Sequence, residues 1–112
     1  MELFNKYKLV KLKRKNRGNS KLIVAVDKLI SDIENANWTK KTDIKLNRPD
    51  ADCVHSDGFY FFDINIHRTM VLIVFEQNEA TIVWIGSHDK YDLTFKGNII
   101  TIEKWLRNKL LI

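Results

Sequence analysis

Two short segments in the second half of the chain carry the side chains best suited to chemistry. In Ser87-His88-Asp89-Lys90-Tyr91-Asp92, which follows a β-rich run, a serine N-cap and one helical turn would place His88 and Tyr91 on the same side of a helix. An imidazole and a phenol in this arrangement can exchange protons with a substrate. The structural alternative is a polar helix cap with a tyrosine packed beneath it, and the motif taken alone favours that alternative.

Arg68 adds a group that recognises phosphate. It lies where the second of three predicted strands begins, and a guanidinium held by a strand can present its planar fork to a phosphate. Cleavage of RNA without a metal needs a base for the 2′-hydroxyl, a cation on the phosphate and an acid for the departing 5′-oxygen. His88, Arg68 and Tyr91 are of these three types; the structural alternative for Arg68 is an ordinary surface residue of a strand. Further cations or donors, whose positions the sequence does not fix, are Lys45, His67, Lys90 and Lys96.

Other kinds of catalytic site receive little support. The three histidines lack the spacing of zinc ligands and only one cysteine is present, so no metal site is predicted. Cys53 and His55 are disfavoured as a nucleophile and base, because two residues on one loop seldom hold the geometry of attack. The four glycines are scattered and form no phosphate-binding loop, and no cofactor is expected.

The positive charge is concentrated at one end of the chain. The 112 residues carry 19 Lys and Arg against 14 Asp and Glu, a net charge of +5. Residues 1–21 hold eight of the basic side chains against one acidic side chain, a net +7, whereas the remaining residues have a net −2. This segment, which includes Lys11 and Arg14, could bind a polyanion such as RNA or DNA or an acidic protein, or could be a solvated helix face. The sequence leaves both open.

Hydrophobic spacing predicts two antiparallel helices at the start of the chain. Apolar residues at helical intervals predict an amphipathic helix with a basic outer face over residues 2–15 and, after a turn at residues 17–20, a second helix over residues 20–36. Residues 37–57 lose all periodicity and contain the only proline. They are predicted to form a long connection that could contain a short strand or turn.

Three strands and a last helix complete the expected fold. Apolar runs at residues 59–66, 69–75 and 80–85 have short connections and predict an antiparallel meander with the second strand in the centre. Thr101 is predicted to cap the last helix. We therefore expect a single α+β domain over residues 1–112, in which an N-terminal helical hairpin packs on one face of a small antiparallel β-sheet and a helix follows at the C-terminus.

The expected compartment follows from the apolar runs and the cysteine. No apolar stretch approaches the roughly 18 residues that cross a bilayer, and the N-terminus lacks the apolar core of a signal peptide. Cys53 has no partner for an internal disulfide, which fits a reducing compartment. We expect a cytoplasmic protein without membrane contact.

Several blocks between Asp52 and Trp105 stand in an order typical of one toxin family. They are Phe61-Phe62-Asp63-Ile64, His67-Arg68, Ile73-Val74-Phe75 and Val83-Trp84-Ile85-Gly86-Ser87-His88-Asp89-Lys90-Tyr91-Asp92. This order resembles HigB-type toxins of the RelE/ParE-like superfamily of bacterial toxin–antitoxin modules. Asn37-Trp38 and Thr42-Asp43-Ile44-Lys45 are also similar to the family, so that the resemblance covers residues 22–105.

The resemblance implies an RNA-cutting toxin of RelE-like fold. Arg68 matches the family arginine that opens the second strand, and His88 and Tyr91 match the closing histidine and tyrosine. In this interpretation Arg68 holds and neutralises the scissile phosphate of a messenger RNA, His88 acts in acid–base chemistry, and Tyr91 orients the substrate or shares proton transfer. Cleavage by the family is commonly on the translating ribosome. The chain departs from the family at Val83, where a second arginine is usual, and at His67, where a tyrosine is usual.

The resemblance also implies a partner. An antitoxin of the HigA type, a small helix-turn-helix protein, would neutralise the toxin and carry it to operator DNA. Two alternatives to an endoribonuclease stay open. One is a non-enzymatic inhibitor of a large target such as DNA gyrase, as on the ParE side of the superfamily, and the other is a basic RNA-binding protein without toxicity.

Overall fold

A computed structural model describes all residues, Met1–Ile112, and has the predicted α+β composition. The elements in chain order are β1 (Glu2–Phe4), α1 (Tyr7–Lys15), α2 (Ser20–Glu34), α3 (Lys41–Asn47), β2 (Asp52–His55), β3 (Phe59–Ile64), β4 (His67–Val74), β5 (Glu79–Ser87), α4 (His88–Phe95) and α5 (Ile99–Asn108). A 3₁₀ turn at Phe75–Gln77 joins β4 to β5. The α1–α2 pair and the C-terminal helix are both present, as expected.

The sheet has five strands in the order β1-β5-β4-β3-β2. Strands β2 to β5 are antiparallel neighbours and include the predicted meander, with β4 in the centre of the sheet. The outer strand β1 pairs in parallel with β5, so the sheet is mixed and not purely antiparallel.

The first residues correct the prediction of a helix over residues 2–15. Leu3 pairs with Ala80 in the sheet, and helix α1 begins only at Tyr7. Between them Asn5 has a φ of 61°, a left-handed conformation, and its side-chain Nδ2 donates to the carbonyl of Ile82 at 3.2 Å. Leu3 and Tyr7 therefore do not share a helical face, and the helical hairpin is preceded by a strand.

The predicted connection over residues 37–57 contains both a helix and a strand. Helix α3 starts where the Asp43 carboxylate accepts hydrogen bonds from the backbone N–H and the hydroxyl of Thr39, at 2.9 and 3.1 Å. The backbone hydrogen bond is the main reason why the pKa of Asp43 lies below its usual value. The strand β2 pairs antiparallel with β3 and forms the other edge of the sheet.

Both faces of the sheet are covered by helices, whereas only one was predicted to be. One face packs on α2 through Leu22, Val26 and Leu29. The other packs on α4 and α5 through Phe95, Ile102 and Leu106. Four consecutive side chains of β3, at residues 59–62, are accordingly all buried, because successive residues of a strand point to opposite faces.

The last helix begins earlier than predicted. Its N-cap is Asn98, whose Oδ1 accepts from the backbone N–H groups of Ile100 and Thr101, so Thr101 is not the cap.

None of the helices has the length and apolar character needed to cross a lipid bilayer.

Candidate functional site

The predicted catalytic residues gather at one corner of the sheet. We call this the sheet corner: residues 67–68 at the start of β4 and residues 86–91, from the end of β5 into α4. His67 pairs with Ser87 and Arg68 with Gly86. The backbone N–H of His88 donates to the carbonyl of Ile66 at 3.1 Å, which ties the start of α4 to the turn before β4. The topology therefore brings together residues that are twenty positions apart in the sequence.

Ser87 is the N-cap of α4, as the sequence predicted. Its Oγ accepts from the backbone N–H of Lys90 at 3.2 Å. Gly86, one residue earlier, is buried, and a Cβ placed there would lie 2.5 Å from the Trp84 ring. This close approach requires glycine. The strand therefore passes into the helix beneath the Trp84 ring, which fixes the direction in which α4 leaves the sheet.

The Arg68 side chain is held at three points. Its Nε donates to Asp63 Oδ1 at 2.9 Å, and its Cζ lies 4.6 Å from the centre of the Tyr91 ring and 5.4 Å from that of Phe61. Asp63 faces Arg68 across the β3–β4 pair. The two terminal guanidinium nitrogens make no hydrogen bond within the protein. Arg68 therefore presents a pre-oriented fork that is free to bind an anion.

Asp63 is itself anchored through its backbone. Its N–H donates to Asp50 Oδ2 at 2.8 Å, and its carbonyl accepts from Arg48 at 3.1 Å. Arg48 is buried and pairs with both Asp32 and Asp50. The carboxylate that orients Arg68 thus stands on a fixed section of β3.

Tyr91 belongs to an aromatic cluster that anchors α4. Its ring lies 4.9 Å from Phe61 in an edge-to-face arrangement and 5.7 Å from Phe95. Phe95 is fully buried and also contacts Trp84 and Trp105, with ring centres at 5.0 and 5.3 Å. Such aromatic pairs contribute beyond the area they bury. The ring on which Arg68 rests is therefore partly buried and packed against the core.

His67 and Arg68 point to opposite faces of the sheet because they are neighbours on one strand. His67 faces the side of α1. Burial lowers the pKa of His67 below its usual value of 6.5, and the neighbouring His88 adds to the effect. The Nδ1 atom of His67 is buried without a hydrogen-bond partner. His88 is exposed on the first turn of α4, three residues before Tyr91.

A groove of about 590 Å³ opens beside His67, between α1 and the end of β5. We call it the basic groove. It forms because β1 pairs with β5 only at residues 79–81, which leaves the following residues of β5 without a strand on that side. Four lysines line it and no acidic residue does. They are Lys8, Lys11, Lys15 and Lys90. A polyanion entering this groove would meet only positive charge.

The remaining predicted RNA-binding residues lie elsewhere. Arg14 is exposed on α1 and does not line the basic groove. Lys45 donates to the carbonyls of Pro49 and Ala51 at 2.6 and 2.9 Å and so fastens α3 to the following loop. Lys96 is the exposed C-cap of α4, at the end of that helix away from His88. Of the six residues predicted to bind RNA, His67, Lys90 and Lys11 are the three that line the groove.

Three contributors to these sites were not predicted from the sequence. Lys8 and Lys15 share a helix face with Lys11, and their spacing of three and four residues was a usable signal. Asp63 was missed as the partner of Arg68, although a two-residue turn between β3 and β4 would have placed the two opposite each other. No group of three or more His, Cys, Asp or Glu side chains converges closely enough to hold a metal ion.

Comparison with known families assigns the chain to a family of toxins. Residues 23–94 match the family model of the HigB toxin, described as the RelE-like toxic component of a toxin–antitoxin system. This span is more than half of the chain, so the protein belongs to the HigB toxin family. The matched span confirms the resemblance and includes Arg68, His88 and Tyr91, whereas α1 with its lysines lies outside it. Membership implies an antitoxin partner. No curated protein matches the chain.

Proposed function

We propose that this HigB toxin is a metal-independent endoribonuclease that cuts messenger RNA, with the translating ribosome as the place of cleavage. The observation that carries the proposal is the fixed Arg68, whose two terminal nitrogens are free and which lies at the same sheet corner as His88. Two parallel N–H groups match two oxygens of a phosphate. A cation so placed stabilises the charge that develops on the phosphate when the 2′-hydroxyl attacks.

Proton transfer is assigned to the two groups on α4. His88 is exposed at the corner and can remove the proton from the 2′-hydroxyl or return one to the 5′-oxygen. Tyr91 contacts the Arg68 guanidinium with its ring, and its phenol would orient the substrate or carry the other of the two proton transfers. The products of this reaction are a cyclic phosphate and a free 5′-hydroxyl, because the attacking oxygen replaces the leaving oxygen on phosphorus.

The basic groove supplies the affinity in this proposal. Its lysines would hold the backbone of single-stranded RNA next to the corner, with salt-dependent binding. The partner would be an antitoxin of the HigA type, whose helix-turn-helix domain links the pair to operator DNA. Such an activity belongs in the cytoplasm, where messenger RNA is translated.

The test is cleavage of RNA by purified toxin, with and without ribosomes and in the presence of a metal chelator. Arg68→Ala and His88→Ala should each lower the rate constant at saturating RNA by about 10² or more, as expected for groups that act in the transition state. Matched controls are Arg107→Ala on the exposed face of α5 and His55→Ala on β2, which should leave the rate unchanged. Full activity in both corner variants would overturn the proposal.

Val83 favours a second candidate function, inhibition of a large target such as DNA gyrase, which the experiments should therefore also test. This residue stands where the resembling family usually has a second arginine, and it packs against the aromatic cluster around Phe95. A toxin that inhibits DNA gyrase without cutting RNA has no need of that arginine. Loss of DNA supercoiling with intact transcripts, after expression in cells, would support the inhibitor over the ribonuclease.

A further inference from the structure

His67 carries a feature that the proposed reaction does not use. Its ring lines the basic groove, yet neither ring nitrogen makes a hydrogen bond within the protein. Nδ1 is buried, whereas Nε2 is not, so only Nε2 is accessible to a ligand. Buried polar atoms in folded proteins are nearly always paired, and an unpaired one calls for an explanation.

The burial of Nδ1 determines where the ring holds its proton. A neutral imidazole has one N–H, and placing it on Nδ1 would bury a donor with no acceptor. Orphaned N–H donors are rarer than incompletely paired acceptors. The favoured form of His67 is therefore neutral, with Nδ1 unprotonated and the N–H on the accessible Nε2.

The charges around His67 oppose a second proton. Lys11, Lys15 and Lys90 line the same groove as His67, and the neighbouring His88 acts against a charge on the His67 ring. The lining of the groove contains no carboxylate that could stabilise an imidazolium. Burial acts in the same direction, since the pKa of His67 is lowered.

We propose that His67 binds a phosphate oxygen of RNA as a neutral hydrogen-bond donor through Nε2. The inference rests on the proposed function and refines it, because it removes His67 from proton transfer and leaves that task to the groups on α4. It also assigns to His67 a contact at the point where the lysine-lined groove meets the sheet corner. A neutral donor adds direction to a surface whose other phosphate ligands are flexible ammonium groups.

Two amide substitutions separate this role from acid–base catalysis. In His67→Gln the amide nitrogen reaches the position of Nε2, whereas in His67→Asn it reaches only that of the buried Nδ1. We expect His67→Gln to keep kcat/KM within about threefold of the unmodified toxin and His67→Asn to lose about tenfold or more, the value of one hydrogen bond to a charged group. The control is His55→Gln, which changes a histidine at the other end of the sheet. Thermal unfolding of each variant shows whether it is folded.

Three results would contradict the proposed role of His67. If both variants lose activity and the pH dependence of kcat/KM changes, His67 transfers protons and the inference is wrong. If both stay fully active, the groove does not use His67 and the inference is equally wrong. ¹⁵N NMR of the free toxin at neutral pH should show the Nε2–H tautomer of His67; an Nδ1–H or doubly protonated ring would overturn the proposal.

Failure of the proposed function would be recognised separately. If the unmodified toxin does not cut RNA, the same variants are compared for binding a single-stranded RNA, which then stays intact during the measurement. Weaker binding by His67→Asn, with unchanged binding by His67→Gln, would support the phosphate contact without any cleavage. Equal binding by both variants would overturn it.

Discussion

Removal of the Asp63 carboxylate tests whether Arg68 works because it is held in place. Asp63→Ala deletes the hydrogen bond to Arg68 Nε and leaves the two aromatic contacts of the guanidinium intact. Because the substitution also removes a negative charge near the site, simple electrostatics predicts tighter binding of RNA. Pre-orientation predicts slower cleavage. The lost negative charge should therefore lower the half-saturation concentration of RNA. The lost orientation of Arg68 should lower the rate constant at saturating RNA.

The expected loss in cleavage rate is estimated from the solvent exposure of the Asp63–Arg68 ion pair. The Asp63 side chain is 46% exposed and that of Arg68 is 16% exposed. Ion pairs at exposed sites contribute about 0.2 to 1 kcal/mol, and the low exposure of Arg68 places this pair at the upper end. Two of the three restraints on the arginine remain after the substitution. We therefore expect a loss of about 1 kcal/mol in the transition state, which is about fivefold in rate.

The assay is single-turnover cleavage of a short RNA over a range of concentrations. We expect the rate constant at saturating RNA to fall about fivefold in Asp63→Ala, with an unchanged or lower half-saturation concentration. Asp57→Ala, at the opposite end of β3, makes the same change in net charge without touching Arg68. If the two variants cleave at the same saturated rate, Asp63 does not orient Arg68 and the reasoning fails.

Four further predictions concern the lysines of the basic groove, the aromatic cluster, and the shifted pKa values of Tyr60 and His67. Replacing both Lys11 and Lys15 by Gln should make the slope of log affinity against log salt about 1.4 less steep, measured by RNA binding, while the saturated cleavage rate stays unchanged. Phe95→Ala should cost about 3 to 5 kcal/mol in urea unfolding, because it empties the centre of the aromatic cluster. Burial, followed by the effect of Cys53, raises the pKa of Tyr60 to about 12. One of the three tyrosines should therefore titrate late by ultraviolet absorbance, and stability should decline as the pH rises from 10 through this value. Because the pKa of His67 is lowered in the folded protein, the unfolded chain takes up a proton on this residue at a higher pH than the folded one does. The free energy of unfolding should therefore fall as the pH drops below 6.5. It should fall less in His67→Gln, as measured by urea unfolding.

The first three of these predictions each have a matched comparison. Lys40 and Lys41 are exposed and lie outside the basic groove, so their double replacement by Gln should leave the salt slope unaltered. An equal effect of both lysine pairs would mean that binding is not localised. Phe4→Ala removes a phenylalanine that is 39% exposed on the edge strand and should cost much less than Phe95→Ala. Loss of the late-titrating tyrosine in Tyr60→Phe would identify that group, and its persistence would contradict the assignment.

Local signals in the sequence predicted the cap of α4 and the central position of β4. Ser87 caps α4 through its own side chain. The three-residue spacing of His88 and Tyr91 in the sequence is the spacing that predicts a shared helix face. Short connections placed β4 between its neighbours in the sheet. These features depend on residues close together in the chain, where the period of the hydrophobic pattern is informative.

Other features depend on contacts that no local pattern specifies. Strand β1 has three residues and exists because β5, about 77 positions later, offers it a partner. Helix α3 has seven residues and one buried side chain, Ile44, which is too little for a periodic stripe. The sequence also did not show which basic side chains of α1 line the basic groove: Lys11 does and Arg14 does not. The direction of each side chain became clear only once α1 was docked beside β5.

The opposite directions of His67 and Arg68 have a consequence for the shape of the substrate. If both side chains contact one RNA backbone, that backbone must pass from one face of the sheet to the other over the width of a single strand end. An A-form duplex is too stiff to turn so sharply, whereas a single strand can splay its bases and bend. Selection of the RNA would then begin with its flexibility, before any base is read, and paired regions would be spared by their stiffness.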